Sequence, residues 1–268
     1  QYMANVAMKV NLKGAGINHT TQGVANWMGD TLVLGADVTH PGSSALAGSP
    51  SITAMVGSME ASGGRFTGNM QMQQAKTEIN FDVQTLVLPL LRRWCQLHNK
   101  WPSNVLYYRD GVSISQYDDI VQKELPGIRK AFTELAKQAK RSVPDFKLTA
   151  VIVTKRHSTR FFPTKEQDAM ASNQNTRPGT LVDGVVTHPY YTDFYLQSHN
   201  AIKGTARPAH YFVLRNEMAI TTEELEDLTH QLCHTYVRAT LGVSYASPAY
   251  YADRLCERGR CYLRPFYN

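Results

Sequence analysis

The order in which strand-like and helix-like stretches follow one another limits this chain more than any single residue does. Three runs of strand length come first with no helix between them: "TLVLGADV" (31–38), "SITAMVGSM" (51–59) and "RFTGNMQM" (65–72). The last two are joined by "EASGG", a glycine-rich connection suited to a hairpin. Helical and extended stretches then alternate. "EINFDVQTLVLPLLRRWCQLHN" (78–99) predicts a helix kinked at Pro89, and "NVLYYRD" (104–110) a strand that ends at Asp110-Gly111. The spacing of Ile120, Leu125, Ile128, Phe132 and Leu135 predicts an amphipathic helix within 115–141, and "KLTAVIVTK" (147–155) a buried strand. Three strands in succession, then helix, strand, helix, strand, point to an α/β fold built on a mixed sheet rather than a purely parallel one.

The rest of the chain extends this pattern. "TLVDGVV" (180–186), "DFYLQSH" (193–199) and "HYFVLR" (210–215) read as further strands. A long helix opens at "TTEE", where Thr221 and Glu224 have capping-box spacing, with Leu225, Leu228, Leu232, Tyr236 and Val237 as its apolar side. A shorter helix is predicted over 247–259, with Pro248 in its first turn.

With 268 residues and 43% hydrophobic content, the chain can form one large domain or two small ones. No apolar run reaches the roughly 18 residues a membrane span needs. The start, "QYMANVAMKV", lacks the charged and apolar segments of a signal peptide, and its Gln in place of Met leads us to expect a fragment of a longer protein. Cys95, Cys233, Cys256 and Cys261 have no metal-type pairing, so reduced thiols in an intracellular protein are expected. There is no dinucleotide glycine fingerprint and no phosphate-binding Gly-Lys-Ser loop. The net charge is +6, and between Lys123 and Lys165 eleven Lys or Arg face three acids, Glu124, Glu134 and Asp145. That density suits a polyanion such as nucleic acid, and it suits a solvated helix face equally well.

Asp37 follows directly on an apolar run and ends the first strand, and Asp110 ends the strand after the first long helix. A first strand at the centre of the sheet with the second beside it would aim both from one rim. Two such carboxylates repel unless a cation lies between them, and hard oxygen donors select Mg²⁺, or Mn²⁺, over zinc. Two ions about 4 Å apart would clamp the attacking and leaving oxygens of a phosphodiester. The bland alternative is that each Asp caps a turn.

The motifs "LGADVTHP", "YYRDGVS", "KRHSTRFF", "THPYYTDFYLQSH", "GTARPAHYFVL", "LTHQLCHTYVR" and "SPAYYADRL" resemble, in order, those of the PIWI domain of eukaryotic Argonaute proteins. They cover nearly the whole chain, and the overall character is most similar to a filamentous-fungal Argonaute of the quelling, or RNA-silencing, pathway. The resemblance implies an RNase H-like mixed sheet flanked by helices over 19–268, with 1–18 as the end of the preceding MID domain. It also implies an acidic set of Asp37, Glu78, Asp110 and Asp253, the last at a position where many animal relatives carry His. Glu60 competes with Glu78 on spacing alone, but its counterpart in the family is a hairpin residue. His40 is read as packing the turn after Asp37.

The activity implied is cleavage of a target RNA paired to a small guide RNA, as an Mg²⁺-dependent endoribonuclease with two ions, leaving 3′-hydroxyl and 5′-phosphate ends. The resemblance places the guide 5′-phosphate at Lys9, Lys13 and Arg258. It places the guide backbone at Lys155, Arg156, His199, Arg207, Tyr236, Arg238, Ser244 and Tyr250. By pattern alone, Lys9 and Lys13 are only exposed residues of a strand edge. "KGAG" departs from the family's "KLGG", which bears on the local turn, and "CYLRPFYN" is a short ending for the family. The partners implied are guide RNA, complementary target RNA and tryptophan-bearing silencing proteins, with no membrane. The compartment implied is the cytoplasm, with the nucleus as alternative. Two further readings stand beside this one: a guide-binding silencing protein that does not cleave, and an unguided RNase H-like nuclease.

Overall fold

A computed structural model describes residues 2–43, 45–79 and 82–267, with residue 267 described by its backbone alone. Among these residues the strands are β1 (Thr31–Thr39), β2 (Ser51–Ser58), β3 (Phe66–Gln73), β4 (Asn104–Asp110), β5 (Lys147–Thr154), β6 (Thr180–Val182), β7 (Asp193–Gln197) and β8 (Ala209–Asn216). They form one sheet in the order β3-β2-β1-β4-β5-β8-β7-β6. β1, β4 and β5 run parallel at its centre, and the remaining neighbours pair antiparallel. The helices are α1 (Tyr2–Lys13), α2 (Val24–Met28), α3 (Val83–His98), the single turn α4 (Tyr117–Asp119), α5 (Leu125–Gln138), α6 (Thr222–Cys233) and α7 (Ser247–Tyr267). This is the mixed α/β sheet that the order of elements predicts, with the flanking helices that the resemblance implies.

Because successive strand residues point to opposite faces, each central strand feeds two cores. Leu32, Leu34 and Ala36 of β1 and Val105 and Tyr107 of β4 join the core under α3 and α5. Val33 of β1 and Leu106 and Tyr108 of β4 join the other, with Leu225, Leu228 and Leu232 of α6 and Ala249 of α7. Gly35 lies in the second set by the same alternation. A Cβ there would come within 2.2 Å of the Pro248 carbonyl group, so the missing side chain is what lets α7 lie directly on β1.

Several elements depart from expectation. β1 does not end at Asp37: the pair Asp37↔Ala54 is followed by Val38↔Thr53 and Thr39↔Ile52, so β2 carries β1 onward after β4 has stopped beside it. Residues 8–13 alternate like a strand edge but are helical. Ala, Met, Leu and Lys are strong helix formers, and "GAG" ends the helix with a left-handed Ala15 (φ 63°) and bonds from Ala15 N–H to Leu12 O and Gly16 N–H to Asn11 O. The helix predicted from Glu78 begins at Val83, where the Asp82 side chain accepts from the Thr85 N–H, and it runs on through Pro89. Glu78 lies outside it, and positions 80 and 81 of that expectation lie outside the described residues.

The helix within 115–141 contains a π-helical stretch, Ile120–Glu124, which places Glu124 in the core with no exposed surface. "TLVDGVV" pairs only over Thr180–Val182, because Val185 takes a positive φ of 67° that no strand allows. "DFYLQSH" ends as a strand at Gln197. Thr221 and Glu224 form the expected capping box, but α6 stops at Cys233, and Tyr236 and Val237 pack beyond its end. The last helix is longer than 247–259 and continues through Pro265. Among the described residues no helix is long and apolar enough to cross a membrane.

Candidate active site

The parallel register decides what meets at the rim. Ala36 pairs with Arg109, so Asp37 and Asp110 are the next residues of adjacent strands. Their alternation matches Gly35 and Tyr108, so both carboxylates leave the sheet on the α7 side, while Arg109 turns to the opposite face. α7, clamped on β1 through Gly35, brings Asp253 to the same place. Asp37, Glu78, Asp110 and Asp253 line one cavity of about 620 Å³, together with His40, Ser113, Lys155, Arg156, Tyr245 and Arg260. Gly111, at a φ of 88°, forms its floor; a Cβ there would lie 3.3 Å from Asp37 Oδ1 and 3.6 Å from Glu78 Oε1. Asp37 is therefore not a turn cap at a strand end. It is a buried carboxylate within a paired strand.

Glu78 is fixed from both sides. His40 bridges Ser51 Oγ at 2.8 Å from Nδ1 and Glu78 Oε2 at 2.8 Å from Nε2, so it holds an acidic side chain as well as packing the turn. Arg109, buried to 1% exposure, places Nη1 3.0 Å from Glu78 Oε1 and donates from Nη2 to the Glu78 carbonyl at 2.7 Å. Its Nε donates to Glu124 Oε2 at 3.2 Å, and the Tyr107 hydroxyl donates to the same oxygen at 2.8 Å. The π stretch thus supplies a buried counter-charge that anchors the guanidinium behind the site. Sequence reasoning passed over Arg109 and Tyr245. The signal for Arg109 was there: a cation inside an otherwise apolar strand, "NVLYYRD", must find a buried partner. Glu60 lies apart, accepting from the Ser62 hydroxyl at 2.6 Å in the β2–β3 connection.

Burial, then Asp110 and Asp253, push the Asp37 carboxyl up to about 8 against the opposing pull of Arg109. Burial and then Asp253 push Asp110 up to about 6. Burial also raises Asp253, opposed by Arg254, whose Nη2 lies 3.3 Å from Asp253 Oδ2. Burial and all three of these carboxylates raise the Tyr245 phenol, which keeps it a neutral donor beside them. These acids cannot all ionise together without added positive charge. The donor set fits a divalent cation: it offers carboxylate oxygens only, and the buried Glu78 Oε1 has no aligned hydrogen bond despite its ion pair with Arg109. Among the described residues no three acidic, His or Cys side chains already surround one point as ligands; the four carboxylates share a cavity rather than a ready cage.

The basic residues fall into three groups. Lys155, the residue after β5, is half-buried with its ammonium 5.9 Å from the Tyr245 ring centre; burial and then Arg207 lower it to about 8. Arg156 beside it and Arg207 are exposed. His199, Ser244 and Tyr250 line an adjoining cleft of about 470 Å³, where burial and Lys155 lower His199 to about 4 and so keep it neutral. Tyr236 is 6% exposed and sits with its ring 4.7 Å from Tyr250, so its part is to support that residue, and Arg238 is exposed at the far end. Lys9 and Lys13 are exposed one turn apart on α1, and Lys13 borders a separate cleft of about 320 Å³ with Arg65 and Tyr251. Arg258 is exposed on α7 and donates to the Tyr262 hydroxyl at 2.6 Å.

The sequence model of the Piwi domain matches residues 1–264. The C-terminal lobe of a budding yeast Argonaute has a TM-score of 0.90 and 34% identity, over 98% of this chain and 55% of that one. Kluyveromyces polysporus Argonaute with a guide RNA has the same TM-score, 0.90, and identity, 34%, over 98% of this chain and 31% of that one. The MID-PIWI domains of N. crassa QDE-2 share the fold, with a TM-score of 0.57 and 23% identity over 98% of this chain and 57% of that one. The chain thus spans about half the length of the first structure and a third of the second.

Proposed function

The chain belongs to the Piwi domain family, and from that premise we propose that it is the cleaving part of an RNA-guided endoribonuclease of RNA silencing. The observation that carries this reading is the meeting of four carboxylates from four separate segments in one cavity, which Lys155 and Arg156 also line. Two Mg²⁺ ions held by Asp37, Glu78, Asp110 and Asp253 would activate water and stabilise the leaving 3′ oxygen of the target RNA. The chain's own part is to place and neutralise. Asp37 and Asp110 stand on adjacent parallel strands and keep a fixed separation. Asp253 comes from a helix pressed onto the same strand. His40 and Arg109 hold the Glu78 carboxylate from both sides. Gly111 leaves the floor free of side chain, so that backbone can approach the reacting phosphate.

Lys155 and Arg156 face the polyanion, and a guide strand along this side accounts for the adjoining His199, Ser244 and Tyr250 cleft. The guided reading also draws on K. polysporus Argonaute, a similar protein solved with a guide RNA. Base pairing would then set the specificity, with the protein gripping the duplex by its backbone. The test is full-length protein with a 5′-phosphorylated guide, complementary RNA and Mg²⁺, beside Asp37→Asn. One cut opposite the guide, giving 3′-hydroxyl and 5′-phosphate ends and lost in Asp37→Asn, is the expected result. Target binding without a cut in either protein would replace this reading with a silencing protein that does not cleave. Cutting without a guide would point to an unguided nuclease.

A further inference from the structure

Four arginines surround the carboxylates, and they are not equivalent. Arg109 is spent on Glu78 and Glu124. Arg254 is spent on Asp253 and on Glu257, which it reaches at 2.6 Å. Arg156 and Arg260 have no carboxylate within ion-pair distance among the described residues, although both line the cavity that holds four acids. Arg156 extends from the β5 side of the sheet. Arg260 comes from the other side, where β1 is paired with β2 alone.

The Arg260 side chain has a built resting place. Its Nη1 donates to Thr39 Oγ1 at 3.3 Å, and its Nη2 lies 4.0 Å from where a Gly42 side chain would begin. The turn leaving β1 therefore lies alongside the guanidinium, with the Thr39 hydroxyl as its hydrogen-bond partner and Gly42 next to it. On α7, Arg260 follows Asp253 by seven residues. Seven residues make nearly two full turns, so both project from one face about 10 Å apart. A cation so placed, exposed and unpaired beside a negative site, gains most from a phosphate that is itself held at that site. The guide contacts argued above, Lys155, Arg156 and the cleft of His199, Ser244 and Tyr250, all lie on the opposite flank. The strand that crosses the carboxylates and continues past them towards Thr39 is the one being cut.

We propose that Arg260 binds a backbone phosphate of the target strand next to the scissile one, on the side of the carboxylates away from Lys155 and Arg156, with Thr39 and Gly42 as its seat. This rests on the endoribonuclease reading and adds to it a residue that grips the target strand. A guanidinium contact with one phosphate adds roughly one unit to the salt dependence of binding, whatever the sequence. The chemistry is charge-assisted and bidentate-capable, so lysine should replace it only in part.

The experiment measures binding in full-length protein carrying Asp37→Asn, which blocks cutting, across a series of KCl concentrations. Guide affinity and the target affinity of the guide-loaded protein are read separately for Arg260, Arg260→Ala and Arg260→Lys. Arg260→Ala is expected to leave guide affinity within twofold, to weaken target binding by about three- to tenfold, and to lower the target's salt slope by about one unit. Arg260→Lys should restore the slope while regaining only part of the affinity. Unchanged target affinity and slope in Arg260→Ala, with the parent binding target normally, overturn the proposal alone. An equal loss of guide affinity also overturns it, by making Arg260 a guide contact. A parent that binds no target overturns the reading of the whole site.

Discussion

Gly35→Ala adds a single methyl group, and the structure states what it would meet. The new Cβ would lie 2.2 Å from the carbonyl carbon and oxygen of Pro248 and 2.8 Å from the Ala249 nitrogen. All three are backbone atoms of the first turn of α7, so no side chain can swing aside. Restoring ordinary contact requires β1 and α7 to separate by about 1 Å, and overpacking of this kind costs about 1–3 kcal/mol. For a domain of this size, each kcal/mol lowers the melting temperature by about 2–4 °C, so a drop of about 2–12 °C is expected. The displacement also reaches chemistry. Asp253 sits five residues beyond Pro248 on the same rigid helix, whereas Asp37 stays with β1. A misplacement of about 1 Å between groups that must act together costs roughly 100-fold in rate.

Differential scanning fluorimetry and single-turnover cleavage, the latter well below the variant's melting temperature, read the two effects. Gly29→Ala is the control, since the Cβ there would meet only the Ala25 carbonyl oxygen at 3.8 Å and no melting loss is expected. A Gly35→Ala protein that melts within about 1 °C of wild type would refute the claim that the two backbones touch. A large melting loss with full cleavage would refute the link from this contact to Asp253.

Two further outcomes follow from the buried charges. Arg109→Met removes the buried cation that balances Glu124 while the Tyr107 hydroxyl still donates to it; taking away the charged partner of a buried ion pair costs about 3–5 kcal/mol, so urea unfolding should show a loss of that order with cleavage abolished, and stability equal to wild type would show that the Arg109 network carries little. The second concerns pH. Folded Asp37 and Asp110 hold protons more tightly than the unfolded chain, to about 8 and about 6, so their contribution to stability is full below the unfolded carboxyl range and is lost as pH rises through those values. In chelator, melting temperature should fall between pH 5.5 and 8.5, the rise induced by millimolar Mg²⁺ should grow over the same range, and Asp37→Asn should flatten both; an Mg²⁺ effect independent of pH would argue against ion binding at these carboxylates.

Much of the fold can be read from short-range pattern. Apolar runs of strand length, a glycine-rich connection and a capping box at Thr221 are local signals, and they placed β2, β4, β5 and the start of α6 to within a residue or two. The errors also have local causes. Residues 8–13 alternate like a strand yet are helical, because helix-forming side chains and the "GAG" cap outweigh a six-residue alternation. The extension of α7 and the π stretch at Ile120–Glu124 depend on what packs against them, and no window of sequence contains that.

The candidate site divides along the same line. Residue chemistry and order alone suggested Asp37 and Asp110 as neighbours; the motif series added Glu78 and Asp253. That Asp37 and Asp110 leave the same face follows from period-two alternation once Ala36 pairs with Arg109, but that register is a tertiary fact. The grip of Arg109 on Glu78 and Glu124, the clamp of His40 on Glu78 and the placing of Arg260 at the rim join residues 15 to 221 positions apart. Sequence specifies which groups are carried and which local elements carry them. Their charges become a site only where packing brings separate segments within a few ångströms and removes the water that would screen them.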